Sequence, residues 1–268
     1  MEPSTAAILC IYLGFGLVEF FRSDLFRKPG QTRDDGVVEL VSTLSLMLLT
    51  QPTILFGVGA FLQSAAPEWQ GALGNLPWWA GVGLFLVFDD MTQYWLHRLS
   101  HTVPWLYDLH RAHHNATYMS IRLVYRNNLL YYVLMPGLWF SAVLVYLGLG
   151  WVYGGYLVVK LTVIIAAHSD VPWDRPLYRI PALAPVVWVL ERLISTPATH
   201  HAHHGMHAAD AATHYKGNYG NLLFFWDVLF GTAKITRRYP ERYGVENLAP
   251  ASLGQQLLWP LFGRRSSP

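Results

Sequence analysis

Apolar residues along this chain gather into runs too long for strands, separated by short polar segments. Five runs stand out: Thr5–Phe21, Val37–Leu62, Leu76–Leu96, Leu129–Leu149 and Val152–Ala167. A helix needs about 20 mainly apolar residues to cross the hydrocarbon core of a bilayer. The pattern therefore predicts an all-α, polytopic membrane bundle of about four to five spans, in which the short first and last runs are the ones that need not cross completely. Past the third run, polar side chains recur every three or four residues. That spacing places them on single helical faces and predicts a helical cap outside the membrane.

Composition supports this picture. Hydrophobic residues make up 53% of the 268 positions and charged residues 13%, against about 25% charged in a soluble domain. Basic residues then orient the spans, because Lys and Arg stay on the cytoplasmic side. Arg22, Arg27, Lys28 and Arg33 lie between the first two runs, whereas Gln63–Asn75 and the turn near Gly148–Gly155 carry no basic residue. The remaining basic residues follow the third run, flank the later ones or lie in the tail, so the cap is expected on the cytoplasmic side. Lys160, within the fifth run, is expected to snorkel toward that face. No basic segment with a small-residue cleavage site marks a leader, so the first run reads as an anchor. With Cys10 as its single cysteine the chain has neither an intramolecular disulfide nor a cysteine-rich metal site. A net charge of +2 without a basic stripe argues against nucleic acid as a partner. Residues 1–75 read as membrane anchor spans, 76–235 as the catalytic part, and 236–268 as a cytoplasmic tail, weakly ordered after about Pro250.

The candidate chemistry lies in three histidine clusters: His97 and His101 in HRLSH, His110, His113 and His114 in HRAHH, and His200, His203 and His204 in HHAHH. With 12 histidines in 268 residues, one H-x-x-H-H frame arises by chance at about one in ten thousand positions. Neutral imidazole ligates Fe, Zn, Cu and Ni, and each cluster is expected to aim two or three ring nitrogens at one point. His168, ending the fifth run, is a ninth candidate ligand. His201 lies on another helical flank and reads as a surface residue or a support behind the ligands, with His207 and His214 in a following loop. Asp90, Tyr94, His97 and His101 step by four, three and four along one face, which makes Asp90 a candidate acceptor for the distal nitrogen of a ligand histidine. Pro104 starts a second helix, expected over Trp105–Tyr118. Trp78, Trp79, Tyr131, Tyr132 and Trp139 read first as an interfacial aromatic belt and alternatively as the lining of a lipid slot.

Nine imidazoles exceed the needs of one ion, and two metals with four or five ligands each use the number naturally. The H-E-x-x-H signature of zinc proteases is absent, as are the paired Glu-x-x-His motifs of carboxylate-bridged di-iron bundles. A dinuclear histidine site at a membrane surface suits oxidation of a lipid. A membrane metal transporter, which would place ligands along a path through the spans, and a zinc-dependent membrane hydrolase are the alternatives.

The motifs resemble those of the fatty acid hydroxylase/sterol desaturase superfamily of integral membrane di-iron enzymes. The chain shows Asp90, Tyr94, Trp95, His97, Arg98 and His101, then HRAHH, then HHAHH, Asn218-Tyr219-Gly220 and Trp226-Asp227-Val228-Leu229-Phe230-Gly231-Thr232. The resemblance covers about residues 80–235. It implies that the eight motif histidines and His168 ligate two iron ions, which zinc could replace. It also implies dioxygen activation, hydrogen abstraction from an unactivated C–H, and hydroxylation or desaturation of a sterol, fatty acyl or related lipid. Electrons would come from a separate reductase and carrier protein. Where the family often has His-Ser-Asn, this chain has His168-Ser169-Asp170, so Asp170 joins Asp90, Asn218 and Asp227 as residues expected to support the ligands.

Overall fold

A computed structural model defines the fold, and residues 3–248 and 251–262 are described. Among them the secondary structure is helical, with one isolated bridge between Gly205 and Tyr243. Helix α1 spans Pro3–Ser23. α2, Arg33–Ser45, starts at a capping box in which Thr32 and Asp35 bond each other's backbone N–H. It continues through a π turn at Leu46–Thr50 into α3, Gln51–Ala65. α4 (Trp78–Phe85), a second π turn (Leu86–Met91) and α5 (Thr92–Ser100) likewise form one rod. α6 covers Pro104–His114 and α7 Leu129–Val133. α8 covers Pro136–Leu144, α9 Gly150–His168, α10 Ala184–Leu193 and α11 Pro197–His203. Two short helices, α12 (Phe225–Leu229) and α13 (Leu253–Leu258), complete the described chain.

Three helical stretches are long and apolar enough to cross a membrane: Pro3–Ser23, Arg33–Ala65 and Pro136–His168. The last of these folds back on itself at Gly148, whose φ of 103° favours glycine. Leu149 and Val152 pack against Gly81 at the start of α4, whereas Gly137 packs against Asp89 in the π turn. The α4–α5 rod thus runs antiparallel to α8 and parallel to α9. The reversal is tied down where Gly71 N and Leu73 N donate to Tyr146 O (3.1 Å) and Leu147 O (2.7 Å).

Several expectations need correction. The run Leu129–Leu149 is not one helix, because Pro136 holds Met135 extended (φ −73°, ψ 107°) and separates α7 from α8. The helix expected over Trp105–Tyr118 stops at His114. There the Arg126 guanidinium bonds Ala112 O (2.6 Å) and Asn115 Oδ1 (2.8 Å), taking the carbonyl that a further turn would have used. Lys160 does not snorkel: its Nζ lies 2.6 Å from Asp89 Oδ2, inside the bundle. The tail expected from residue 236 packs against the histidine-bearing segments. Gly244 N donates to His204 O (3.2 Å), and Met206 N donates to Arg242 O (2.9 Å). Beyond the expected boundary at Pro250, itself outside the described residues, α13 packs Leu257 against Val38 and Ala112.

Polar ties bind the apolar helices to the histidine-bearing segments. The buried Glu19 carboxylate of α1 accepts from Ser120 Oγ (2.7 Å) and Ile121 N (3.0 Å). In α2, Ser42 Oγ donates to Asn127 O (2.7 Å) and Asp35 pairs with Arg126 at 2.7 Å.

Candidate metal centre

α5, α6, α9 and α11 converge at one end of the bundle, each delivering histidines. The nine candidate ligands come together in two groups. His97, His101, His110, His114 and His203 form one; His113, His168, His200 and His204 form the other. In each group one nitrogen per ring lies within 4.8 Å of all the others.

The grouping corrects the expectation that each sequence cluster points at a single spot. HRAHH sends His110 and His114 to the five-histidine group and His113 to the four-histidine group. HHAHH does the reverse, with His200 and His204 in the smaller group and His203 in the larger. Helical geometry explains the split. At about 100° per residue, positions i and i+4 lie about 40° apart, while i+3 falls about 60° to the other side. Each H-x-x-H-H helix is thereby a wall shared by both groups. His110 and His113 stack at 5.1 Å, and His114 and His204 at 4.4 Å, where the groups abut.

Five of the nine rings have their outward nitrogen on a fixed acceptor, whereas His200 Nδ1 is buried without a partner. His97 Nδ1 donates to Tyr219 O (2.7 Å), His203 Nδ1 to Gly217 O (2.8 Å), and His110 Nδ1 to Asn127 Oδ1 (2.8 Å). His113 Nδ1 donates to Leu123 O (3.1 Å) and His168 Nδ1 to Ile164 O (2.8 Å). A ring that donates from Nδ1 and is neutral carries its lone pair on Nε2. Burial, reinforced by the neighbouring rings, pushes His101, His110, His113, His114, His200, His203 and His204 well below the usual imidazole pKa, so these rings are neutral.

Lone pairs consequently face lone pairs. His97 Nε2 and His203 Nε2 are 2.9 Å apart in the larger group, and His113 Nε2 and His168 Nε2 are 3.4 Å apart in the smaller. Neither pair has a proton to share, since all four rings already donate from Nδ1. A cation between them turns this repulsion into ligation, so the donor set fits one metal ion in each group.

His201 is buried like its neighbours but faces the other way. Its Nδ1 lies 3.0 Å from Tyr243 Oη and its Nε2 3.0 Å from Ser169 O, so both nitrogens are engaged elsewhere. His207 pairs with Glu246 at 3.3 Å, and His214 Nε2 donates to Thr232 O at 3.2 Å. Neither belongs to a group.

The acidic candidates act at a distance from the rings. Asp90 accepts from Leu222 N (3.2 Å), Leu223 N (3.1 Å) and Trp226 Nε1 (2.8 Å), not from a histidine as its spacing suggested. Asp170 faces away from the centre, bonding Ser23 Oγ (2.8 Å) and Lys28 Nζ. Asp227 accepts from Tyr219 N (2.8 Å), Gly220 N (2.6 Å) and Thr232 Oγ1 (2.6 Å). Burial pushes its carboxyl pKa up, and these donors pull it back. Asn218, in the left-handed region at φ 57°, bonds Thr199 O (2.9 Å) and Lys234 O (3.0 Å). Together Asn218 and Asp227 set the turn that offers the Gly217 and Tyr219 carbonyls to His203 and His97. Sequence reasoning missed Asn127, which nothing in its spacing marks, and the backbone acceptors, which no residue type announces.

A cavity reaches the histidines from within the helical bundle. It touches both groups through His97, His110, His113 and His168, and runs between Leu46 and Gln51 on one side and Leu157, Leu161 and Ile164 of α9 on the other. Tyr131 and Tyr132 border it, while Trp78, Trp79 and Trp139 are exposed.

Three stretches apolar and long enough to cross a membrane, joined to nine imidazoles in two groups that could each hold a metal ion, mark the class as that of membrane proteins with a histidine-rich site. Residues 82–232 match the fatty acid hydroxylase family, and the chain belongs to that family, within the fatty acid hydroxylase/sterol desaturase superfamily. Alkylglycerol monooxygenase of Homo sapiens is 27% identical over 209 residues, which are 76% of this chain and 42% of the relative. The Danio rerio enzyme of that name is 27% identical over 161 residues, 59% of this chain and 32% of the relative. Alternative squalene epoxidase of Phaeodactylum tricornutum is 29% identical over 172 residues, 61% of this chain and 43% of the relative. The chain spans less than half the length of these curated relatives. No solved structure matches.

Proposed function

We propose that this protein is a membrane-embedded, dioxygen-dependent lipid oxidoreductase with two iron ions held by the nine grouped histidines. The observation that carries the reading is the pair of neutral, lone-pair-inward histidine groups at the end of a cavity that opens among apolar helices. Iron bound there would supply dioxygen activation, inserting one oxygen atom into a lipid C–H while the other leaves as water with two electrons and two protons from outside. The protein's own part is to hold the rings. Backbone carbonyls fix the tautomers of His97, His113, His168 and His203, Asp227 fixes the turn carrying two of those carbonyls, and the walls of α8 and α9 guide a lipid chain toward His97 and His168. Relatives named for monooxygenation of alkylglycerol and epoxidation of squalene support a lipid substrate, and a separate electron-donor protein would supply the electrons. A transport role is disfavoured because the histidines cluster at one end of the helices.

The test is metal content together with lipid turnover. The purified protein should hold about two metal ions per chain, and iron-loaded protein with a reductase and carrier should convert lipid to a hydroxylated or desaturated product. One ion per chain with no dioxygen-dependent product would sink the reading.

The same proposal fixes topology, with the α1, α2–α3, α4–α5, α8 and α9 segments in the membrane and the histidine end on the cytoplasmic side. Asn75 and Ala209 are both exposed and lie at opposite ends of the bundle. In a Cys10→Ser background, Asn75→Cys should react with an impermeant maleimide in intact cells and Ala209→Cys should react only after lysis. Reversed labelling would place the centre on the other face.

A further inference from the structure

One buried charged pair serves no histidine. Asp89, in the π turn between α4 and α5, accepts from Tyr156 Oη (2.8 Å) and from Lys160 Nζ (2.6 Å). Both charged residues are buried, 3% and 6% exposed. Taking two charges out of water is costly, and an ionisable residue at membrane depth is a functional candidate by default.

Pinning α9 to the α4–α5 rod accounts for only part of this arrangement. The Lys160 ammonium has three protons to donate, and Asp89 is its one hydrogen-bond partner among the described residues. Gln93, one turn beyond Asp89 toward His97, has its Oε1 buried with no partner. Asp89, Gln93 and Lys160 all border the cavity that touches His97, His110, His113 and His168. A donor with protons to spare and an unpartnered acceptor therefore face one space whose other walls include Leu, Ile and Tyr side chains, the histidines, and the amides of Gln51, Asn127 and Asn221.

We infer that Lys160 and Gln93 form a binding site for a hydroxyl group on the lipid substrate. The hydroxyl oxygen accepts from the Lys160 ammonium, and its proton is donated to Gln93 Oε1. Asp89 and Tyr156 hold the ammonium in place. Gln93 and Asp89 precede His97 by one and two turns, so the hydroxyl lies roughly 6–12 Å along the helix axis from the histidines. The substrate class is then a lipid alcohol oxidised several bonds from its hydroxyl. An unfunctionalised hydrocarbon would leave Gln93 Oε1 without a partner and the remaining Lys160 protons unused, and a site built to bond a hydroxyl rejects the analogue that lacks it. This inference rests on the reading of the protein as a lipid oxidoreductase.

The test measures binding, which does not depend on turnover. Full-length protein in phosphatidylcholine nanodiscs is titrated with radiolabelled cetyl alcohol and with hexadecane, each corrected for partition into empty nanodiscs. The wild type should hold the alcohol about tenfold or more tightly than the alkane. Gln93→Leu, which leaves the ion pair intact, should lose most of that preference without weakening alkane binding. The double variant Asp89→Asn/Lys160→Met, in which neither charge is left alone, should behave likewise. Equal binding of alcohol and alkane by the wild type, or an unchanged preference in Gln93→Leu, overturns the site. An alcohol preference lost in both variants, in a protein that oxidises no lipid, would keep the site and refute the oxidoreductase reading. Lipid oxidation with no alcohol preference would do the reverse.

Discussion

His203→Ala is expected to abolish lipid oxidation and to lower the metal content by at least one ion per chain. His203 Nε2 faces His97 Nε2 at 2.9 Å, and its Nδ1–H is anchored on Gly217 O, so no other side chain can take its place in the five-histidine group. His201→Ala is the matched control. It removes an equally buried imidazole from the same helix, but one whose nitrogens meet Tyr243 and Ser169. That variant should keep its metal and lose only about 1–3 kcal/mol of stability, the cost of leaving buried partners unsatisfied. Elemental analysis of both proteins at equal membrane levels decides the matter. Metal loss in His201→Ala with retention in His203→Ala would mean that the frame of the third cluster is misassigned.

Asp227→Ala should weaken metal binding about 10–100-fold although the carboxylate touches no histidine, the range typical of groups that orient ligands. Its two oxygens hold the N–H groups of Tyr219 and Gly220 and the Thr232 hydroxyl. Without them the Tyr219 carbonyl is free to turn, and His97 loses the acceptor that keeps its lone pair inward. Competition against a chelator, read alongside thermal unfolding, separates this effect from general loss of fold. An unchanged metal affinity would show that the turn is held without Asp227.

The helices and the ligand candidates were legible because both are local. Apolar runs need no partner to be recognised, and three- and four-residue steps place imidazoles on a helix face whatever the surroundings. What escaped was set by distant contacts. The partner of Lys160 is Asp89, 71 positions away, so an isolated lysine in an apolar run read as a snorkelling one. The π turn at Leu86–Met91 changes the rotation of the acids relative to an uninterrupted α-helix. Asp89 and Gln93 therefore share the cavity with His97, while Asp90 turns to the Leu222–Trp226 segment. The division of each H-x-x-H-H frame between two groups was also hidden, since the sequence gives angles around one helix and not which neighbour each side chain meets.

That division bears on how the protein is made. α6 supplies both groups before α11 exists, and each group contains a histidine or two from α11. Translation proceeds from the N-terminus at about 5–20 residues per second, so His204 emerges roughly 5–20 s after His97. Throughout that interval the ribosome displays an unfinished set of imidazoles, as many as six, with neither group closed. Both centres become complete within a few residues of each other, when α11 leaves the exit tunnel. If each group holds an ion, as proposed, neither ligand set is full until α11 is made, and one late helix closes both.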